Sequence, residues 1–209
     1  MLITTVILAG GAATRIGGDK GLQLLHGRPL IDWVLDNVRP HSAEILLNVP
    51  QGDNVNTDNK NYLREGCRTI KDIKSKDIEN NVGPLAGLQS ALHHARHEWL
   101  ASMPCDTPFL PNDLLPRLLT ALQNNHAEVA VAVEGGQQHP TIALYKKSVS
   151  PKLDIFLSSG QRKVGGWVNS LRVTEVLFDD AHTFLNINST QDLLRANQAP
   201  TPLSLSHKA

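Results

Sequence analysis

The sequence predicts an α/β fold built on a mostly parallel β-sheet. Short apolar runs that suit buried strands alternate with longer segments whose apolar residues recur at helical spacing. Such alternation is typical of parallel strands that are joined by helices. The chain has 209 residues, of which 41% are hydrophobic and 19% charged, so it can bury one substantial core. We expect one domain over residues 1–198 and a disordered tail, 199–209, that contains two prolines.

The predicted elements follow one another along the chain. Strands are expected at 4–8, 44–49, 67–72, 99–103, 128–133, 139–145, 173–178 and 184–187. Helices are expected at 29–38, 84–98, 113–124, 149–158, 163–171 and 190–197, the last with Thr190 as its cap. Gly135 and Gly136 predict a hairpin between two of the strands. The polar stretch 51–61 and the charged stretch 73–81 are expected to be connections.

Charge and cysteine content exclude several classes of protein. Twenty basic side chains balance twenty acidic ones, so the chain lacks the basic excess of a general nucleic-acid binder. Cys67 and Cys105 form neither a disulfide framework nor a pair with zinc-site spacing, which favours a reducing compartment. The first residues do not resemble a signal peptide, and no apolar run approaches the ~20 residues of a membrane span. We expect a cytoplasmic protein with no nucleic-acid or membrane partner.

The stretch from Leu8 to Lys20 follows the first predicted strand and carries the strongest functional signal. Ligands of open α/β sheets bind outside the carboxyl ends of the strands, where this stretch lies. Gly10 and Gly11 allow close approach of the backbone to a ligand, and their amides can donate hydrogen bonds to it. Arg15 and Lys20 offer positive charge for phosphate oxygens. The pattern indicates a loop around a nucleoside triphosphate.

Two common phosphate-binding loops do not fit this spacing. The P-loop requires Ser or Thr after its lysine, whereas Gly21 follows Lys20. The dinucleotide fingerprint requires separated glycines and an acidic residue after the second strand, whereas this strand ends near Asn48. For Gly10 and Gly11 alone, a plain turn remains the alternative. The complete string of glycines, arginine and Asp-Lys is much more specific.

That string, with Ile16 in place of a more usual Met, resembles the signature loop of the molybdenum cofactor guanylyltransferase family, within the nucleotidyltransferase superfamily. Segments 83–87, 104–108, 139–144 and 186–190 resemble later motifs of that family in the same order. The resemblance covers most of the chain, although the segment before Gly83 is longer here. It implies a three-layer fold, whose central sheet has the Rossmann-like, GT-A-like topology of nucleotidyltransferases.

The resemblance implies transfer of GMP from GTP to the terminal phosphate of molybdenum-loaded molybdopterin, with release of pyrophosphate. It also implies dependence on Mg²⁺, and transient contacts with cofactor-biosynthesis or molybdoenzyme-chaperone proteins. Three alternatives stay open: cytidylyl transfer to molybdopterin, transfer to a sugar-1-phosphate, and a non-catalytic nucleotide-binding module.

Residue by residue, the resemblance assigns three groups of residues. Arg15, Lys20 and Asp106 are the expected catalytic residues, with Asp106 as the metal ligand. The nucleotide-binding set is Leu8, Ala9, Gly10, Gly11, Lys20, Asn48, Asp72 and Asp106. The acceptor-side candidates are Gly83, Gly87, His139, Arg162, Asn186 and Asn188. Either of the last two asparagines could share the metal. Asp106 itself ends a buried strand, where a turn-forming aspartate is the alternative.

Overall fold

The computed structural model describes residues 1–9, 19–49, 60–73, 83–179 and 183–199. Residues 10–18 of the first loop therefore lie outside the described residues, as do 50–59, 74–82 and 180–182. Of the predicted tail, Ala199 alone is described. The division into one domain and a tail stays a prediction.

One mixed sheet of seven strands organises the described residues, in the order β5-β4-β1-β6-β8-β7-β9. A separate two-stranded hairpin is formed by β2 and β3. The strands are β1 (Ile3–Leu8), β2 (Leu24–Leu25), β3 (Arg28–Pro29), β4 (Glu44–Asn48), β5 (Cys67–Ile70), β6 (Trp99–Pro104), β7 (Val129–Glu134), β8 (Gln137–Lys146) and β9 (Val173–Phe178). Within the large sheet only β8 runs antiparallel to its neighbours. The predicted mostly parallel sheet and its hairpin are confirmed.

Helices cover both faces of this sheet. They are α1 (Leu30–Val38), α2 (Pro84–His94), α3 (Leu114–Asn124), α4 (Ser150–Ser158), α5 (Val164–Asn169) and α6 (Thr190–Gln198). Alternate residues of β1 point to opposite faces: Ile7 packs in the core with α1 and α3, whereas Val6 packs in the core with α2, α4 and α5. The predicted three-layer arrangement is confirmed. Every helix in the described ranges falls short of the length and apolarity that a bilayer crossing requires.

Four details differ from the sequence-based expectation. Residues 184–187 do not form a strand. The Ile187 amide donates to the Asp106 carbonyl just after β6, but the segment does not pair with β6 along its length. Helix α2 ends at His94, since Ala95 is already extended. The cap of α6 is Ser189 rather than Thr190, with a capping box to Asp192. The β2–β3 hairpin escaped prediction because two-residue strands are too short to show periodicity.

Candidate active site

The carboxyl ends of β1, β4 and β6 meet at one edge of the sheet. Leu8 is in register with both Asn48 and Pro104, because these three strands are parallel. Backbone pairing continues one residue further: the Ala9 amide donates to the Asn48 carbonyl at 2.9 Å, and the Cys105 amide donates to the Leu8 carbonyl at 3.2 Å. The first loop therefore departs from a fixed position between the two neighbouring strands. Gly10, Gly11 and Arg15 lie outside the described residues.

Lys20, Asp106 and Asn188 meet at this edge, although they come from three distant parts of the chain. The Lys20 ammonium forms an ion pair with Oδ2 of Asp106 and donates a hydrogen bond to Oδ1 of Asn188. The Asp106 carboxylate is buried, whereas the Lys20 side chain retains 23% of its exposure. The ammonium is thus held at the surface by two oxygens and stays accessible to an anionic ligand.

A single backbone hydrogen bond brings Asn188 to this position. The Ile187 amide donates to the Asp106 carbonyl at 2.9 Å, and the Ile187 side chain is buried in a small core with Leu30 and Trp33. Immediately after Asn188, the capping box of α6 fixes the backbone. The neighbouring Asn186 is exposed, and among the described residues it is Asn188 that contacts Lys20.

The two oxygens around Lys20 are a donor set suited to Mg²⁺. Asp106 supplies a carboxylate and Asn188 an amide oxygen, and both already contact one cation, the Lys20 ammonium. Magnesium needs only one or two protein oxygens when phosphates and water complete its octahedron. The described residues contain no cluster of three or more His, Cys, Asp or Glu suited to a metal ion. Asp106 and Asn188 therefore fit a metal ion that binds together with the phosphates of the substrate.

Asn48 and Asp72 form a second polar pair on the other side of β1. The Asn48 side chain is buried, and its Nδ2 donates to Oδ1 of Asp72 at 2.9 Å. Burial raises the pKa of Asp72 above its ordinary value, and the hydrogen bond from Asn48 partly opposes this shift. A fixed amide and a partly buried carboxylate suit the N–H and hydroxyl groups of a base or ribose better than they suit phosphate.

Gly87 in α2 packs directly against Asn48. A Cβ atom at this position would lie 2.8 Å from Asn48 Cγ and 2.9 Å from Leu8 Cδ2, both closer than real contacts allow. The glycine therefore lets α2 approach the end of β1 and holds the Asn48 amide in place. Its contacts put Gly87 beside the Asn48–Asp72 pair, and its assignment to the acceptor side stays a prediction.

His139 belongs to a third group, at the same edge but near β7. Its ring centroid lies 4.9 Å from that of Phe184, and its Nε2 lies 3.9 Å from Oε2 of Glu134. Burial lowers the pKa of His139, although the Glu134 charge acts in the opposite direction. The Nε2 atom is buried without a hydrogen-bond partner among the described residues. It can serve a ligand that reaches this end of the sheet.

For the two remaining acceptor candidates, Gly83 and Arg162, the structure gives contacts within their own segments. Gly83 precedes α2 with φ of 62°, a left-handed conformation that favours glycine. Arg162 donates from Nη1 to the carbonyls of Leu157 and Gln161, at 2.6 and 2.7 Å. This side chain therefore caps the end of α4, and the contacts described for it do not include Lys20 or Asp106.

Comparison with known proteins identifies the family of this chain. Residues 5–173 match the family model of the MobA-like NTP transferase domain. The chain belongs to the MobA-like NTP transferase family. A relative from Shewanella putrefaciens (strain CN-32 / ATCC BAA-453), named molybdenum cofactor guanylyltransferase, is 38% identical over 192 residues, covering 91% of this chain and 93% of the relative. A relative of the same name from Cupriavidus pinatubonensis (strain JMP 134 / LMG 1197) is 38% identical over 203 residues, covering 94% and 96%.

A solved structure shares the fold of this MobA-like NTP transferase. Molybdopterin-guanine dinucleotide biosynthesis protein A from Archaeoglobus fulgidus superposes with a TM-score of 0.72 at 24% identity. The match covers 93% of this chain and 97% of that one. The predicted family and fold class are confirmed.

One part of this MobA-like NTP transferase site was missed from the sequence. Tyr62 follows the polar stretch that was expected to be a surface connection, yet its ring is fully buried. Its hydroxyl donates to Oδ1 of Asp19 at 2.7 Å, next to Lys20. The only available signal was a lone aromatic residue beside an otherwise polar segment.

Cys105 is also buried there, and burial raises the pKa of its thiol far above the ordinary value, which leaves it an unreactive packing group.

Proposed function

We propose that this chain transfers GMP from GTP to the terminal phosphate of molybdenum-loaded molybdopterin, giving the guanine dinucleotide and pyrophosphate. The observation that carries the proposal is the convergence of Lys20, Asp106 and Asn188 at the carboxyl edge of the sheet, in a member of the MobA-like NTP transferase family. Relatives that match this chain over more than nine tenths of their length carry the name of that activity.

In this reaction one phosphoanhydride bond at the α-phosphorus of GTP is replaced by another. A terminal phosphate oxygen of the acceptor attacks the α-phosphorus of GTP, the bond from that phosphorus to the bridging α,β-oxygen breaks, and pyrophosphate leaves with the bond's electron pair. A phosphate monoester has a second pKa of about 6, so the nucleophile is largely dianionic at neutral pH and needs no general base. The barrier comes from bringing two anions together and from charge on the leaving group, and fixed cations lower both.

The described side chains suit separate parts of this reaction. Lys20 would neutralise triphosphate oxygens, and Arg15 of the first loop would add a second cation, as the sequence predicts. The Asn48–Asp72 pair would receive the base or ribose at the opposite side of β1. On the acceptor side, His139 offers a buried nitrogen that lacks a hydrogen-bond partner among the described residues, at the β7 end of the same edge. Leu8 and Ala9 would fix the start of the loop around the nucleotide.

Magnesium is the divalent ion that the oxygen donors suit. Asp106 and Asn188 would hold it, with GTP phosphates and water as the other ligands. When bound, the ion supplies positive charge where the triphosphate oxygens and the leaving pyrophosphate carry negative charge. On binding of the nucleotide, Lys20 would exchange its contacts with Asp106 and Asn188 for contacts with phosphate oxygens.

The proposal is tested by measuring pyrophosphate release from each of the four nucleoside triphosphates with molybdenum-loaded molybdopterin, with and without Mg²⁺. We expect release from GTP that requires both the acceptor and the ion. Release from CTP but not from GTP would replace the guanylyl assignment by a cytidylyl one. Tight GTP binding without turnover would favour a nucleotide-binding module. Release that survives complete removal of divalent ions would refute the role given to Asp106.

A further inference from the structure

Tyr62 connects two segments of the nucleotide side that are far apart in sequence. It ends a short 3₁₀ turn, Lys60–Tyr62, and its side chain is 0% exposed. The hydroxyl donates to Asp19 Oδ1 at 2.7 Å, and Asp19 directly precedes Lys20. A buried aromatic ring thus ends in one polar contact, and that contact is with the residue beside the phosphate-binding lysine.

The residue after Lys20 lies against the same tyrosine. A Cβ atom on Gly21 would be 3.3 Å from Tyr62 Oη and 3.4 Å from both Cβ and Sγ of Cys105. Since Cys105 precedes Asp106 and pairs with the end of β1, this surface is part of the sheet edge itself. The segment around Lys20 therefore rests on Tyr62, through a hydrogen bond to the Asp19 side chain before it and close packing of Gly21 after it.

This anchoring matters because a lysine side chain has a long, flexible stem. Its ammonium is held more precisely when the backbone that carries it is fixed as well. With Asp19 and Gly21 held against Tyr62, the Lys20 ammonium reaches Asp106 and Asn188. Burial and the hydrogen bond to Asp19 also raise the pKa of Tyr62, so its hydroxyl keeps the proton that it donates.

The hydrogen bond from Tyr62 fixes the side chain of the residue that directly precedes Lys20. Loss of this bond would free the segment that carries the ammonium, and Lys20 would then be held less firmly. We propose that Tyr62 is a positioning residue, which holds the Asp19 carboxylate and thereby keeps Lys20 aligned for the triphosphate. Its role in nucleotide selection rests on the proposed function, whereas its effect on Lys20 can be measured without nucleotide.

The first test measures how fast Lys20 reacts in the nucleotide-free protein. The full chain is treated briefly with a limiting amount of acetic anhydride, and mass spectrometry compares acetylation of Lys20 with that of Lys152, which pairs with Glu128 elsewhere. Tyr62→Phe keeps the ring and removes only the hydroxyl. We expect the Lys20:Lys152 ratio to rise about fivefold, the equivalent of one ordinary hydrogen bond. An unchanged ratio would overturn the proposal.

The chain provides a matched control, because it has only two tyrosines. Tyr145 is also fully buried, and its hydroxyl donates to the Pro140 carbonyl at 3.3 Å. Tyr145→Phe should leave the ratio at the wild-type value. Asp19→Ala should raise the ratio as Tyr62→Phe does, and the double variant should add little, because both changes remove one contact. Independent, additive effects would contradict a shared hydrogen bond, and Asp19→Ala alone decides the question if Tyr62→Phe does not fold.

The second test separates a positioning role from a general loss of structure. Calorimetric titration compares the affinities of wild type and Tyr62→Phe for GTP and for GMP. We expect the preference for GTP over GMP to fall about fivefold, since Lys20 serves the terminal phosphates. Equal weakening of both nucleotides would indicate a merely structural effect and overturn the positioning role. If the wild type does not prefer GTP, the proposed function fails, and the acetylation ratio still decides the inference.

Discussion

The Lys20 ammonium is paired with the Asp106 carboxylate at the carboxyl edge of the sheet. Lys20 follows the first loop, and Asp106 follows the central strand β6, so the pair joins the expected phosphate-binding segment to the expected metal ligand. The attraction between these two opposite charges offsets the free-energy cost of burying the Asp106 carboxylate. Arrival of a metal and a triphosphate would give each group a new partner of the correct sign.

Replacing Asp106 by asparagine should abolish most of the turnover while preserving the fold. The amide keeps the shape of the side chain, and the Asp106 backbone carbonyl still accepts the hydrogen bond from Ile187. Loss of the metal-binding charge should lower kcat by about 100- to 1,000-fold. Steady-state pyrophosphate release checks the rate, and circular dichroism checks the fold. A folded variant with the wild-type rate would refute the role of Asp106.

Lys20→Ala should weaken triphosphates selectively. Loss of a charge-assisted contact to phosphate should reduce GTP affinity by about 10- to 100-fold, while guanosine affinity changes little. Competition binding with both ligands measures the two effects. Lys152→Ala is the control, because Lys152 pairs with Glu128 away from this edge. Equal losses for guanosine and GTP would show that Lys20 does not select for phosphates.

Gly87→Ala should destabilise the protein, although alanine is the better helix former. The new methyl group would lie too close to the side chains of Asn48 and Leu8, both of which are buried. Such overpacking costs about 1–3 kcal/mol, more than the ~1 kcal/mol gained from helix propensity. Urea denaturation measures the change in the free energy of unfolding.

Gly165 in α5 supplies the matched substitution. A Cβ atom there would meet its nearest neighbour, Pro140 Cγ, at an ordinary 3.9 Å. Gly165→Ala should therefore stabilise the protein by up to ~1 kcal/mol. Stabilisation of similar size by both substitutions would contradict the close packing of α2 against Asn48.

Asp72→Asn should change stability in a pH-dependent way. Burial raises the pKa of Asp72 above its ordinary 3.8, so the fold favours the protonated carboxyl. The contribution of Asp72 to stability is therefore fully present below pH 3.8 and is lost as the pH rises through the raised folded pKa. Asparagine does not titrate, so the free energy of unfolding of the variant should improve relative to wild type as the pH rises towards 7.

Urea denaturation at several pH values between about 4 and 7.5, across the range of carboxyl titration, measures this difference. Asp113→Asn, which changes a carboxylate that is 59% exposed, controls for the general loss of a negative charge. A free energy of unfolding of Asp72→Asn that falls relative to wild type as the pH rises would contradict the argument.

The fold was predictable because its signals are local. The runs around Val6 and Val131 are apolar over the length of a strand, and apolar residues recur at regular spacing in the helices. Each of these elements can therefore be recognised from a few neighbouring residues. The segment around Ile187 does not, because its conformation depends on one hydrogen bond to Asp106 and on distant core residues. The sequence does not reveal that bond, so the short apolar run at 184–187 was predicted to be a strand.

The site was predictable to the extent that it follows from strand ends. Asn48 and Asp106 lie where strands of a parallel sheet end, so a sequence with recognisable strands places them at one edge. The choice of Asn188 over Asn186 as the partner of Lys20 depends on the backbone path, which residue types do not reveal. The contribution of Tyr62 depends on a tertiary contact that no periodicity encodes.

The most direct test of the account follows the α-phosphorus of GTP. GTP labelled with ³²P at the α position is incubated with Mg²⁺, molybdenum-loaded molybdopterin and the full chain, and the products are separated. The account predicts that the label enters the dinucleotide with one equivalent of unlabelled pyrophosphate, and that Asp106→Asn prevents this. Label that stays in GTP or appears only as GMP, under conditions in which GTP binds, would contradict the proposed transfer.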